Sequence, residues 1–286
     1  MTAKVVCICN LKGGVGKTTL VMALAEYLAG DTYRKRVLAI DLDPQTNLTN
    51  ALMSEEAWYK DFEKRKLTLP YLFKNPVDFL EHAKNEEFIV KHNVSTVKNN
   101  YKNFLHLIPS SPILFQFQEE LPPDFYFNIG LTPINLISVL IKPILRNYDY
   151  ILIDCPPTIN KVVKSAFLAS HACILPCVPN RMSILGLHLL LEHIKKFNQD
   201  NGHNLKPLAT LISRYNTTRK NDNQFVKFII TNKNLPPAFK TQISERAKLA
   251  ENLDYYSDNK LTYKQKYDDL HNTLLQLTQE FIEKVG

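Results

Sequence analysis

The chain has 286 residues, 45% hydrophobic and 22% charged, and no apolar run approaches the roughly 20 residues that cross a bilayer. These values fit a soluble globular protein, long enough for one α/β domain carrying an insertion in its first half, and they exclude a membrane-spanning one. The net charge is +7, and position matters more than the sum: residues 181–248 hold 12 Lys/Arg against 4 Asp/Glu, so the whole excess lies there. Such a footprint suits nucleic-acid phosphates, although a solvated basic face leaves the same mark.

Residues 1–9 lack the charged region, apolar stretch and small-residue cleavage site of an export signal, so a cytoplasmic protein is expected. Residues 5–9 read as a buried strand and residues 20–29 as a helix that Gly30 ends. Between them lies N-L-K-G-G-V-G-K-T-T, residues 10–19. A strand, a glycine loop and a helix form phosphate-binding architecture, because Gly13, Gly14 and Gly16 let backbone N–H groups curl inward at the helix N-terminus. Lys17 adds a point charge for the phosphates and Thr18 a hydroxyl for Mg²⁺, with Val15 and Thr19 completing the nucleotide cradle. The pattern G-x-x-x-x-G-K-[ST] is broken at its first position by Leu11, while a second lysine, Lys12, precedes the glycine pair.

Residues 36–41 form the next strand and deliver Asp41 and Asp43 to the sheet edge where open α/β folds bind ligands. Residues 53–103 read as short helices and a surface excursion. A strand follows at 104–108, residues 116–124 are broken by prolines, and 134–146 is an amphipathic helix that Pro143 kinks or shortens. Residues 148–157, Y-D-Y-I-L-I-D-C-P-P, form an apolar strand ending in Asp154, the arrangement of a metal-supporting acid beside a phosphate loop. Three strand-helix units are expected next: 171–177 with 184–197, 208–213 with 224–231, and 239–243 with 245–253. A last helix, 262–283, packs on the sheet. Seven or so strands, mostly parallel, give a doubly wound three-layer α/β sandwich of the P-loop NTPase type. The five cysteines show no C-x-x-C pair and are expected to be free, buried thiols rather than metal ligands.

The run K-G-G-V-G-K-T-T, then D-L-D-P-Q, F-L-H-L-I-P-S and Y-D-Y-I-L-I-D-C-P-P, resembles in order and approximate spacing the ParA/MinD family of deviant Walker A ATPases, closest to ParA-type partition ATPases. Only residues 53–103 stand outside it. The resemblance implies an ATPase that binds ATP with Mg²⁺ and forms a nucleotide sandwich homodimer. It further implies nonspecific DNA binding in that state, a nucleoid location, and release when a cargo adaptor of ParB type stimulates hydrolysis. Carried over, Lys12 looks like the lysine that reaches the other subunit's phosphates, Lys17 and Thr18 like the phosphate lysine and metal ligand, and Asp43 like the residue that positions the attacking water. Asp41 would support the metal's water shell and Asp154 would be the Walker B acid. Residues 211–219, L-I-S-R-Y-N-T-T-R, resemble the family's L-L-T-M-Y-D-x-R-T, with Asn216 as a nucleotide contact at the acidic position. Residues 243–252, I-S-E-R-A-K-L-A-E-N, resemble a C-terminal family motif with Ser244 where a proline stands. Arg219, Lys220, Arg246 and Lys248 are the candidate DNA contacts, doubled in a dimer.

Two other readings use the same loop. A MinD-like membrane-cycling ATPase would need a basic amphipathic final helix, whereas this one carries more acid than lysine. A nucleotide-switched DNA-binding regulator would need room ahead of the first strand for a further motif.

Overall fold

The computed structural model describes residues 2–98, 104–119, 130–216, 218–245 and 261–286. Its strands are β1 (Lys4–Ile8), β2 (Val37–Asp41), β3 (Leu105–Ile108), β4 (Tyr150–Asp154), β5 (Ala172–Cys177) and β6 (Lys206–Ile212). All pair in parallel, in the order β3-β2-β4-β1-β5-β6. The helices of eight or more residues are α1 (Lys17–Ala29), α2 (Pro76–Ala83), α3 (Lys161–Ala169), α4 (Arg181–Asn201), α5 (Lys220–Thr231) and α6 (His271–Val285).

The central strands are apolar on both sides because both faces are covered. Along β1, Val5 and Cys7 join one buried cluster while Val6 and Ile8 join the other; on β4, Ile151 and Ile153 divide from Tyr150 and Leu152 in the same way. The first cluster packs against α3 and α4, the second against α1 and α6. Helix α6 presents Leu274, Leu277 and Phe281 to the core. A charge fixes the segment just ahead of it: the buried Glu26 of α1 accepts bonds from Lys266 at 2.6 Å, from the Tyr267 hydroxyl at 2.5 Å and from Ser95. Pairing of this kind offsets the cost of burying the carboxylate.

The structure bears out the doubly wound α/β class and alters some of its parts. Residues 239–243 make no strand, leaving six among the described residues. Pro236 and Pro237 supply no donors, and the N–H groups of Lys240 and Thr241 go to the Glu280 carboxylate of α6 at 2.8 and 3.1 Å. Only isolated contacts along β6 remain, including Phe239 N to Thr210 O at 2.9 Å.

Residues 53–98 are not a surface excursion. Leu67, Leu69, Leu72, Phe73, Phe79 and Phe88 are buried, and Val90 exchanges backbone bonds with Leu107, covering the outer edge of β3. The final helix is divided: a short turn (Tyr263–Tyr267) is separated from α6 at Asp268, whose φ is 48°. The kink at Pro143 is present, with helix over Leu136–Ile141 passing into a 3₁₀ turn.

Helix α3 was not anticipated, although Asn160 caps it by accepting from Val163 N at 2.9 Å. The helix expected over 245–253 and the stretch 120–124 fall almost wholly outside the described residues. All five cysteines are free and buried, and among the described residues no three or more His, Cys, Asp or Glu side chains gather to hold a metal ion. Among the described residues no helix is long and apolar enough to cross a membrane.

Candidate functional site

The phosphate loop leaves β1 and enters α1. Asn10 shapes its start: the side-chain N–H donates to Pro176 O at 2.6 Å on β5, and the side-chain oxygen accepts from Lys12 N at 2.9 Å. Gly14 and Gly16 adopt φ of 69° and 86°, left-handed values that cost a residue with a Cβ. Gly13 and Gly16 have nothing within 4 Å of where a Cβ would stand, so they line open space. Gly16 precedes α1 with no side-chain cap and no acid in the first turn, which leaves the first N–H groups and the positive end of the helix dipole turned to the loop.

Lys17 begins that helix, is 6% exposed, and donates to Lys12 O at 3.2 Å. Burial pulls its pKa down, against the opposing pull of Asp154 and Asp43. Thr18 and Thr19 share the first turn. Lys12 extends toward α4, its ammonium 3.4 Å from the Asn180 side-chain oxygen that also caps that helix.

Strand register brings the acids to this point. Ile8 and Asp41 each pair with Asp154, so the carboxyl ends of β1, β2 and β4 lie level. Asp41 and Asp154 share the pleat phase of Ala39 and Leu152, which face the α1 side. Both are fully buried and differ in their surroundings. Asp41 accepts from Thr49 N at 2.8 Å, Thr49 Oγ at 2.7 Å and Asp43 N at 3.1 Å. Burial nevertheless pushes its pKa up to about 7. Neither oxygen of Asp154 accepts a hydrogen bond. Burial, and then the neighbouring Asp41 charge, raises its pKa well above the carboxylate range, while the nearby Thr18 hydroxyl and Lys17 act the other way. Asp43, 7% exposed, accepts from Gln45 N at 2.9 Å.

Lys12, Lys17, Thr18, Asp41, Asp43 and Asp154 therefore converge at one end of the sheet. Asn216 belongs to the turn into α5: its side-chain oxygen accepts from Thr218 N and Oγ at 3.0 and 2.8 Å. Arg219 and Lys220 are exposed at the start of α5, and Arg219 pairs with Glu245 at 3.3 Å. Arg246 and Lys248 lie outside the described residues. The sequence reading gave no role to Asn10, Asn180, Ser213 or Arg214, all of which touch the loop or its lysine. For Asn10 the signal was local, since an Asn two residues ahead of a turn is a turn-closing residue. For the other three, only tertiary structure supplies the contact.

Comparison with known proteins agrees with this geometry. The AAA domain family model matches residues 3–207. The virulence plasmid ParA family protein of Chlamydia psittaci is 29% identical over 231 residues, 80% of this chain and 76% of that protein. The sporulation initiation inhibitor protein Soj of Bacillus subtilis is 31% identical over 192 residues, 67% of this chain and 65% of its own. Among solved structures, a Borrelia burgdorferi plasmid partition protein bound to AMPPNP shares the fold with a TM-score of 0.69 and 24% identity, covering 99% and 100% of the two chains. With the family model spanning well over half the chain and the phosphate loop meeting its strand-end acids in space, the chain belongs to the ParA/MinD family of P-loop ATPases.

Proposed function

We propose that this chain is a ParA-type partition or positioning ATPase, which binds Mg·ATP at residues 12–19, hydrolyses it, and cycles between an ATP-bound homodimer on DNA and a released form. The observation that carries the reading is Asp154, fully buried with both oxygens unpartnered, beside Thr18 and the buried Lys17 at the open start of α1. A carboxylate and a hydroxyl at a phosphate cradle fit Mg²⁺, a hard cation that takes one or two protein oxygens and completes its shell with phosphate and water. When bound, Mg²⁺ neutralises the charge that develops on the transferred phosphoryl group.

The remaining steps belong to the chain's own residues. Lys17 exchanges the Lys12 carbonyl for phosphate oxygens. Asp43, buried at the carboxyl end of β2 and already oriented by Gln45 N, holds the attacking water in line. Asp41 keeps Asp43 in place through its backbone N–H. Lys12, on the rim, adds the charge that a second subunit lacks, so hydrolysis depends on dimerisation. The basic excess of residues 181–248 supports nonspecific phosphate contacts, with Arg219 and Lys220 as one part of the surface and Arg246 and Lys248 as the other. A partner of ParB type would accelerate hydrolysis and end the DNA-bound state. The apolar face of α6 is consumed by the core, which supports DNA rather than a membrane as the reversible surface.

The test is the ATPase rate across protein concentrations, with and without random duplex DNA. A specific rate that rises with concentration and responds to DNA is expected; a rate flat in both would contradict the cycle.

A further inference from the structure

The phosphate loop is gripped from outside by two consecutive residues that follow β6. Ser213 Oγ donates to Val15 O at 2.7 Å, and Arg214 Nη1 donates to Gly14 O at 2.8 Å. The second guanidinium nitrogen of Arg214 reaches Glu245 at 3.1 Å, and Glu245 also holds Arg219 at 3.3 Å. Arg214 adopts φ of 53°, a left-handed backbone uncommon for a residue with a long side chain, two residues after β6 ends. Strained backbone of this kind persists where surrounding contacts over-determine it, and it concentrates at functional sites.

A trans peptide plane links the two ends of the contact. Within one plane the carbonyl of residue i and the N–H of residue i+1 point in opposite directions. Fixing Gly14 O outward therefore aims Val15 N–H into the loop, and fixing Val15 O outward does the same for Gly16 N–H. These are the donors a phosphate cradle needs. We propose that Arg214, held by Glu245 and assisted by Ser213, is a positioning residue that preorganises the phosphate loop for nucleotide, a role resting on the assignment of that loop as the ATP site. Preorganisation lowers the cost of ordering the cradle at the moment of binding, so the effect belongs to ground-state affinity rather than to the chemical step.

Arg214→Met removes the charge and keeps much of the volume, whereas Arg214→Gly removes the charge and relieves the backbone strain. Titration calorimetry with Mg·ATP should show Kd raised about fivefold in both, the worth of roughly one charged hydrogen bond on a half-exposed guanidinium. The KM of hydrolysis should rise with Kd while kcat falls less, a split that general destabilisation would not produce. Should either variant melt early, Glu245→Gln is read instead, and a rise of two- to threefold in Kd is expected from loss of the counter-charge. Kd within twofold of wild type in both arginine variants overturns the proposal, as does wild-type affinity in Arg214→Gly alone, which would leave strain as the only effect. Lys17→Ala separates the levels: if that variant binds Mg·ATP like wild type, the loop assignment itself fails, whatever Arg214 does.

Discussion

Asp41 and Asp154 end adjacent strands in register, both fully buried and both on the α1 side of the sheet. They differ in what they hold. Asp41 accepts three hydrogen bonds, from Thr49 twice and from Asp43 N, and so ties the turn after β2 to the sheet. Asp154 accepts none. Burying a carboxylate without partners is costly, and a fold that tolerates it gains something other than stability. One acid is engaged by the protein's own backbone and Thr49; the other is left open beside the loop.

The largest expected effect lies on the binding side. Lys17→Ala should abolish detectable Mg·ATP binding in calorimetry, because backbone N–H groups and the helix dipole do not replace the buried ammonium. Binding within about threefold of wild type, about 0.7 kcal/mol, would break the assignment.

Next is Asp43→Ala, which should bind ATP and dimerise yet lose turnover on the order of 10²-fold, since a transition-state contact is removed while ground-state contacts stay. Wild-type turnover by phosphate release would remove Asp43 from the mechanism.

Asp41→Asn sharpens the comparison from the stability side. An amide turns a donor toward groups that already donate, so urea unfolding should show a loss of about 1–3 kcal/mol. The same pair predicts a pH dependence in nucleotide-free protein. With its folded pKa pushed up to about 7, Asp41 binds its proton more tightly folded than unfolded, where carboxylates titrate near ~4. Stability should therefore fall as pH rises from about 4 to 7, with Asp154 contributing in the same direction, and Asp41→Asn should flatten the slope.

The smallest effect concerns DNA. Arg219→Glu with Lys220→Glu should weaken ATP-dependent binding to random duplex and lower the salt slope by about two per subunit. An unchanged slope in fluorescence anisotropy would mark this face as merely solvated.

The site was legible in the sequence where local pattern and chemistry coincide. The loop at 12–19, Asp41, Asp43 and Asp154 each follow an apolar strand, and strand ends in a parallel sheet meet at one edge. What the sequence hid was tertiary diversion of hydrogen bonds. Residues 239–243 look like a strand, but prolines and the Glu280 carboxylate take away the ladder donors. The run over 53–103 reads as a surface excursion because its apolar residues follow no single period, yet Phe73 and Phe88 fill the core. Asp41 and Asp154 look alike in sequence, and the donors that tell them apart, Asp43 N and Thr49 eight residues beyond Asp41, are set by the fold of the turn after β2.

The measurement that bears most directly on this account is the Mg²⁺ dependence of ATP affinity in wild type and Asp154→Asn, run beside thermal melts of the nucleotide-free proteins. Wild type should bind ATP more tightly with Mg²⁺ than with EDTA, and Asp154→Asn should lose that enhancement without any loss of unfolding free energy, since the amide forfeits no protein hydrogen bond and relieves a buried, unpartnered carboxylate. Full Mg²⁺ enhancement in Asp154→Asn, or a collapse in stability like that expected of Asp41→Asn, would contradict the division of labour between the two acids.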